Sequence, residues 1–172
     1  MLAATAQGAL AASFAVAGTS FKLHANKLDG QGMIQYGTVD TSLDGTNHAV
    51  AVNAFKTAKL YSLCQSMVIP TPFKDMTIRL TAGSDTDPVT ATNLVTDLDV
   101  LNGDVVFNNP QIGIDASTST KGPIQGKKGG FALEADSVQI QNADIQAWAT
   151  TAGTFVLKGL KLSAAFGKNE CF

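Results

Sequence analysis

Val138-Gln139-Ile140-Gln141-Asn142-Ala143-Asp144-Ile145-Gln146-Ala147-Trp148-Ala149 alternates apolar and polar side chains, with one break at Asn142. Alternation of period two belongs to a strand with one buried face. Counting Asn142 as an extra residue restores the phase from Ile140 to Ala143, which is how a β-bulge reads in sequence. The same period recurs upstream. Met76, Ile78, Leu80 and Ala82 alternate with Thr77, Arg79 and Thr81, and Leu94, Thr96, Leu98 and Val100 alternate with Asp97 and Asp99. The pattern predicts Met76, Ile78, Leu80, Leu98 and Val100 buried, with Arg79, Asp97 and Asp99 facing solvent. Phe155 and Leu157 pass through Gly159 to Leu160 and Leu162, a second bulge-like shift of phase.

No window beyond Ser20 sustains a helical period, and only residues 49–63 suit a helix as well as a strand. Turn chemistry at Asp29-Gly30-Gln31-Gly32, Asp44-Gly45, Gly83-Ser84-Asp85, Asn102-Gly103 and Ala152-Gly153 divides the chain into strands. Residues 116–130 read as the longest loop. A loose repeat, apolar-x-Ala-polar-x-apolar, runs through Leu23–Leu28, Val89–Leu94 and Leu133–Val138, with a degenerate copy at Ala58-Lys59-Leu60. Its alanines, Ala25, Ala58, Ala91 and Ala135, suggest long strands that fold back and forth, each unit stacking on the last. The fold class is therefore mainly β. We expect one domain over residues 19–172, built of long antiparallel strands in a solenoid-like or sandwich arrangement.

Residues 1–18 stand apart. The first charged side chain is Lys22, and everything before it is small, apolar or uncharged. Ala9-Leu10-Ala11-Ala12 has the small-x-small character of a signal-peptidase site, so the segment reads as the end of an export signal or anchor, with a helix as one option. Small residues let backbones approach closely, as in helix pairs within membranes. The segment is thus a candidate organiser of an assembly. Charged residues make up 15% of the chain, against roughly 25% in ordinary domains. A surface so poor in charge implies concealment, in a homo-oligomer, on lipid or around a ligand. The candidate assembly or lipid contacts are Leu2, Leu10, Phe14, Val16 and Trp148. The near balance of 12 basic and 14 acidic side chains leaves no footprint for nucleic acid.

Catalytic and metal-binding patterns are weak. His24 and His48 lie in no recognisable motif, no Gly-x-Ser-x-Gly elbow occurs, and no phosphate loop is present. Asp85 and Asp87, and Asp97 and Asp99 with Asp104, have spacings that calcium accepts but lack its twelve-residue loop. No catalytic, cofactor or metal residues are assigned. In an exported chain, the even count of Cys64 and Cys171 favours one disulfide, the alternative being one buried and one exposed thiol.

Several segments are familiar together. Gly8–Val16, Leu28-Asp29-Gly30 with Gln35-Tyr36-Gly37, Cys64-Gln65-Ser66, Lys121-Gly122-Pro123, Trp148–Phe155 and Glu170-Cys171-Phe172 resemble an uncharacterised actinobacterial family of exported proteins. Its members are often labelled cholesterol esterases. They typically begin with a basic stretch and a long apolar segment, of which residues 1–18 resemble the end. The resemblance implies export or membrane association and adds weight to the cysteine pair, but it supplies no catalytic motif. The expectation is a non-enzymatic, exported protein of the cell envelope or exterior that self-assembles and presents or encloses apolar, lipid-binding surface. The alternatives are a secreted lipid or sterol-ester hydrolase and a monomeric lipid carrier.

Overall fold

A computed structural model describes residues 15–172. Leu2, Leu10 and Phe14 lie outside the described residues. Nine strands follow in order: β1 (Phe21–Thr41), β2 (Asn47–Tyr61), β3 (Leu63–Ile69), β4 (Met76–Ala82), β5 (Val89–Asn108), β6 (Gln111–Asp115), β7 (Phe131–Thr151), β8 (Thr154–Val156) and β9 (Lys161–Phe166). β1 has 21 residues, about 70 Å of extended chain. β1 pairs with β2, β2 with β5, β5 with β7, and β7 returns to β1, all antiparallel. The long strands therefore close into a barrel-like ring instead of stacking as an open solenoid, and closure removes the free edges that long strands would otherwise expose. The four repeated alanines fall one on each ring strand, and all are buried. Ala58 and Ala91 sit directly opposite each other.

Three of the expected turns do not reverse the chain. Asp29–Gly32 lies inside β1 and Asn102-Gly103 inside β5. At Gly32, φ is +66°, and a Cβ would lie 2.7 Å from the Lys121 carbonyl oxygen, so glycine serves a close approach of the 116–130 loop. Gly103 sits in a register shift against β7, a bulge. Across Ala152-Gly153 the chain runs on in one register along β5, with Val95 opposite Thr151 and Thr92 opposite Thr154. These residues look like turns because bulges in long bent strands draw on the same permissive residues as turns do. Asn142 has φ +51° and keeps Val138, Ile140, Ala143, Ile145 and Ala147 on the core side, as expected of a bulge. Gly159, by contrast, lies in the connection between β8 and β9, so the bulge expected there is a loop.

Successive side chains of the ring strands enter two different cores. Met33, Phe55 and Leu94 join one cluster with Leu28, Leu60 and Ile140, while their neighbours Ile34, Ala54 and Val95 join another with Tyr36 and Val52. Such strands are covered on both faces. The second cover comes from Val16, Ala116 and Ile124. The 116–130 loop is held down by the buried Glu134, whose Oε1 accepts from Ser119 Oγ at 2.9 Å, Thr120 N at 3.1 Å and Lys121 N at 3.3 Å. Part of the low charge density follows from this two-sided burial.

A second unit leaves the ring at Ser62, where φ is +53°. β2 and β3 form one line along β1, with Lys27 opposite Tyr61 and His24 opposite Cys64, but they differ in their other neighbour. β2 pairs with β5, whereas β3 pairs with β4, and β4 with β9. β9 is the terminal strand of the sheet on that side.

Candidate association face and buried polar sites

The burial of β4 departs from the expectation. Thr77 is 2% exposed, while Met76, Ile78 and Leu80 are only half-buried. The cause is the C-terminal tail, which lies over the polar side of β4. Thr77 Oγ1 donates to the Gly167 carbonyl at 2.6 Å and accepts from Asn169 N at 3.0 Å. Arg79 Nη1 donates to Asn169 Oδ1 at 3.4 Å, and Ser66 Oγ accepts from Cys171 N at 3.0 Å. Cys64 and Cys171 are disulfide-bonded and staple the tail in place. Arg79, expected in solvent, is half-buried beneath it.

The other side of the unit carries three cross-strand rows: Ile69, Met76 and Phe166; Met67, Ile78 and Ala164; Gln65, Leu80 and Leu162. Residues opposite one another in an antiparallel pair share a face, so eight of these nine side chains make one apolar surface. Leu162 is 64% and Phe166 59% exposed. Three strands about 4.8 Å apart and about 20 Å long give a footprint of roughly 300 Å², a size at which exposed apolar patches are often functional. At one end the turn after β3 raises Phe73, 87% exposed, and Lys74 Nζ stands 5.5 Å from the Phe166 ring centroid.

The other contacts expected from sequence fall elsewhere. Val16 is buried in its own domain, bridged to Ser42, with its N–H donating to the Thr41 carbonyl at 3.1 Å. An apolar β-branched side chain next to the β1–β2 hairpin finds its cover there, so Val16 is a core residue and offers nothing to a neighbour. Trp148 is a bulged residue, since Ala149 pairs with Asp97 and Ala147 with Leu98. It is half-buried and stacks on His48 with centroids 3.8 Å apart.

The two-sided cover overturns the reading of Asp97, and the register shifts overturn that of Val100. Asp97 follows Val95 on the side closed by the second core and is fully buried, while the shifts on either side of Leu98 flip the phase of β5 beyond it and leave Val100 42% exposed. Asp99 is exposed as expected and Leu98 is buried. Asp97 faces Asp40, also fully buried, and none of their four carboxylate oxygens has a hydrogen-bond donor among the described residues. Burial pushes the Asp97 carboxyl up to about 8, with the contact and charge of Asp40 adding to the effect. A proton held by Asp97 turns one acid into a donor for the other. The Tyr36 hydroxyl, likewise without a partner, is pushed up to about 12 by burial and by the charges of Asp97 and Asp40. Sequence periodicity alone could not find this pair, since Asp97 reads as the wet side of a strand.

Both histidines are engaged. His24 Nδ1 lies 2.6 Å from Asp144 Oδ1, and its Nε2 lies 2.9 Å from Asn26 Oδ1. His48 Nε2 lies 3.2 Å from Ser42 Oγ across the hairpin, a serine–histidine contact that no sequence motif signals. Ser42 Oγ also lies 2.5 Å from Asp44 Oδ1, and that bond holds the Asp44 carboxyl down at about 2. A hydroxyl has one proton, and the short bond to an ionised carboxylate takes it. With that proton directed to Asp44, the contact is met by His48 Nε2 donating to Ser42 Oγ. Of the acids with calcium-like spacing, Asp85 accepts from Ser62 Oγ and Asn26 Nδ2, and Asp87 pairs with Lys158. Among the described residues no three His, Cys, Asp or Glu side chains converge, and no helix is long and apolar enough to cross a membrane.

No curated protein and no solved structure matches the chain. Residues 17–172 match the model of a family of unknown function, DUF6230, and the chain belongs to that family.

Proposed function

We propose that the protein is a non-enzymatic component of the cell envelope, exported, which self-associates and presents the apolar face of β3, β4 and β9. The observation that carries this reading is the cover on β4. A disulfide-anchored tail lies over the polar side, while among the described residues the apolar side is half-buried on β3 and β4 and exposed on β9. Leaving three of these apolar side chains exposed and five half-buried is costly for an isolated domain, and burying them against a partner or lipid recovers about 25 cal/mol per Å². Two further observations support it over the rival functions. The ring interior lined by Leu28, Phe55 and Ile140 holds a cavity of about 20 Å³, room for a single water. The wider pocket of about 370 Å³ is lined mainly by polar side chains, among them Asp29, Gln31, Thr57 and Lys59, which do not suit an apolar lipid chain. Among the described residues, the serine–histidine contact at Ser42 and His48 has its hydroxyl proton directed to Asp44.

Light scattering on the purified chain, together with flotation on lipid vesicles, tests the proposal. A mass of at least two chains, or co-flotation with vesicles, supports it. A monomer that stays free of vesicles contradicts it, as would turnover of short-chain esters with labelling of Ser42 by a serine-reactive probe.

A further inference from the structure

We infer that a second copy of the chain adds to the free edge of β9, antiparallel, with the two-fold axis at Ala164. The inference rests on the association reading above and names its interface. β9 pairs with β4 on one side and with no strand on the other among the described residues, and Lys161 through Phe166 are all exposed. An open strand edge carries a row of unpaired N–H and C=O groups, and what satisfies such a row best is another strand. Edges not meant for pairing are usually blocked by proline, a bulge or inward-pointing charge. β9 has none of these. Its only charge is Lys161 at its first position, followed by Leu162-Ser163-Ala164-Ala165-Phe166.

The sequence of β9 also selects its own copy as the partner strand. Residues opposite one another must lie on the same face, which limits a two-fold pairing to registers centred on a residue. Centred on Ala164, the pairing sets Leu162 against Phe166 of the second copy and Ala164 against its own equivalent. Centred on Ser163, it would draw Lys161 into the ladder opposite Ala165. The Ala164 register joins the two apolar faces into one six-stranded surface of roughly 600 Å², still open to lipid, and places a small side chain on the axis.

The test is oxidative cross-linking of single-cysteine additions in the full chain, with the native disulfide intact. Ala164→Cys should give a covalent dimer, because directly opposed Cβ atoms lie about 4.5–5.5 Å apart. Ser163→Cys should not, because its equivalent in the second copy is two positions out of register. Leu162→Lys should weaken the dimer roughly a hundredfold, about tenfold for each of the two copies of Leu162 removed, with an unchanged melting temperature. Cross-linking at Ser163 equal to that at Ala164, or none at either, overturns the inference. If the chain is still oligomeric or vesicle-bound in that case, association uses another part of the face and the broader reading stands. If the wild-type chain is a monomer free of vesicles, both fail.

Discussion

Replacing Asp97 with asparagine should stabilise the protein at neutral pH and remove most of the dependence of its stability on pH. Asp97 titrates near 8 in the folded chain, through burial and the adjacent Asp40, and near 3.8 when unfolded. Between those values the folded state binds one proton more than the unfolded state. Stability then falls as pH rises, by about 1.4 kcal/mol per unit. From pH 4.5 to pH 7.5 the loss reaches about 4 kcal/mol, a large share of the total stability of a domain. The asparagine amide carries a permanent N–H donor for Asp40 and does not titrate. Urea denaturation at pH 4.5, 6.0 and 7.5, followed by Trp148 fluorescence, measures the effect. The wild type should lose about 4 kcal/mol more than Asp97→Asn over this range. The His24 pKa also lies above its ordinary value. Burial works against the shift, but the hydrogen bonds to Asp144 and Asn26 outweigh it. Its contribution is present below pH 6.5, is lost as pH rises through the folded value, and cancels in the comparison. Parallel pH profiles for the two proteins would refute a proton shared by the buried acids.

Three further outcomes follow from the packing. Cys64→Ala opens a bridge between residues 107 apart in sequence, and should cost about 4–5 kcal/mol. Hydrogen exchange should show Gly167–Phe172 loosened well before the ring. Glu134→Ala strips three donors of their buried acceptor. It should cost about 2–4 kcal/mol in urea titration and free the 116–130 loop to proteolysis. Gly122→Ala would place a Cβ 2.5 Å from Ile34 Cγ2, and overpacking of that kind should cost about 1–3 kcal/mol in a melting experiment.

The strand periods in the sequence identify a β domain because Val138–Ala149 and Leu23–Leu28 obey alternation wherever one face is buried. The bulge at Asn142 was legible because it restores the phase on both sides. The covered side of β4 was not. Thr77 and Arg79 read as solvated, and only the tail, brought over them from some ninety residues away, makes theirs the buried side. Alternation reports that two faces differ, and tertiary contacts decide which is covered. Asp97 escaped for a related reason, since it shares the side of Val95 that the second core covers, and the register shifts around Leu98 account only for the exposure of Val100. The cysteine pair was legible from its even count, whereas its role in covering one face of β4 required the fold. The serine–histidine contact at Ser42 and His48 depends on a hairpin geometry that the sequence between them does not specify.

The most direct test compares the mass of the wild-type chain with that of Leu162→Lys by light scattering across a wide concentration range. Leu162 lies on the apolar face at the open edge of β9, 64% exposed, and faces Phe166 of the second copy in the Ala164 register. The wild type should have at least twice 17.8 kDa and Leu162→Lys the single-chain mass at concentrations where the wild type is associated. Equal masses for the two proteins would contradict the association reading.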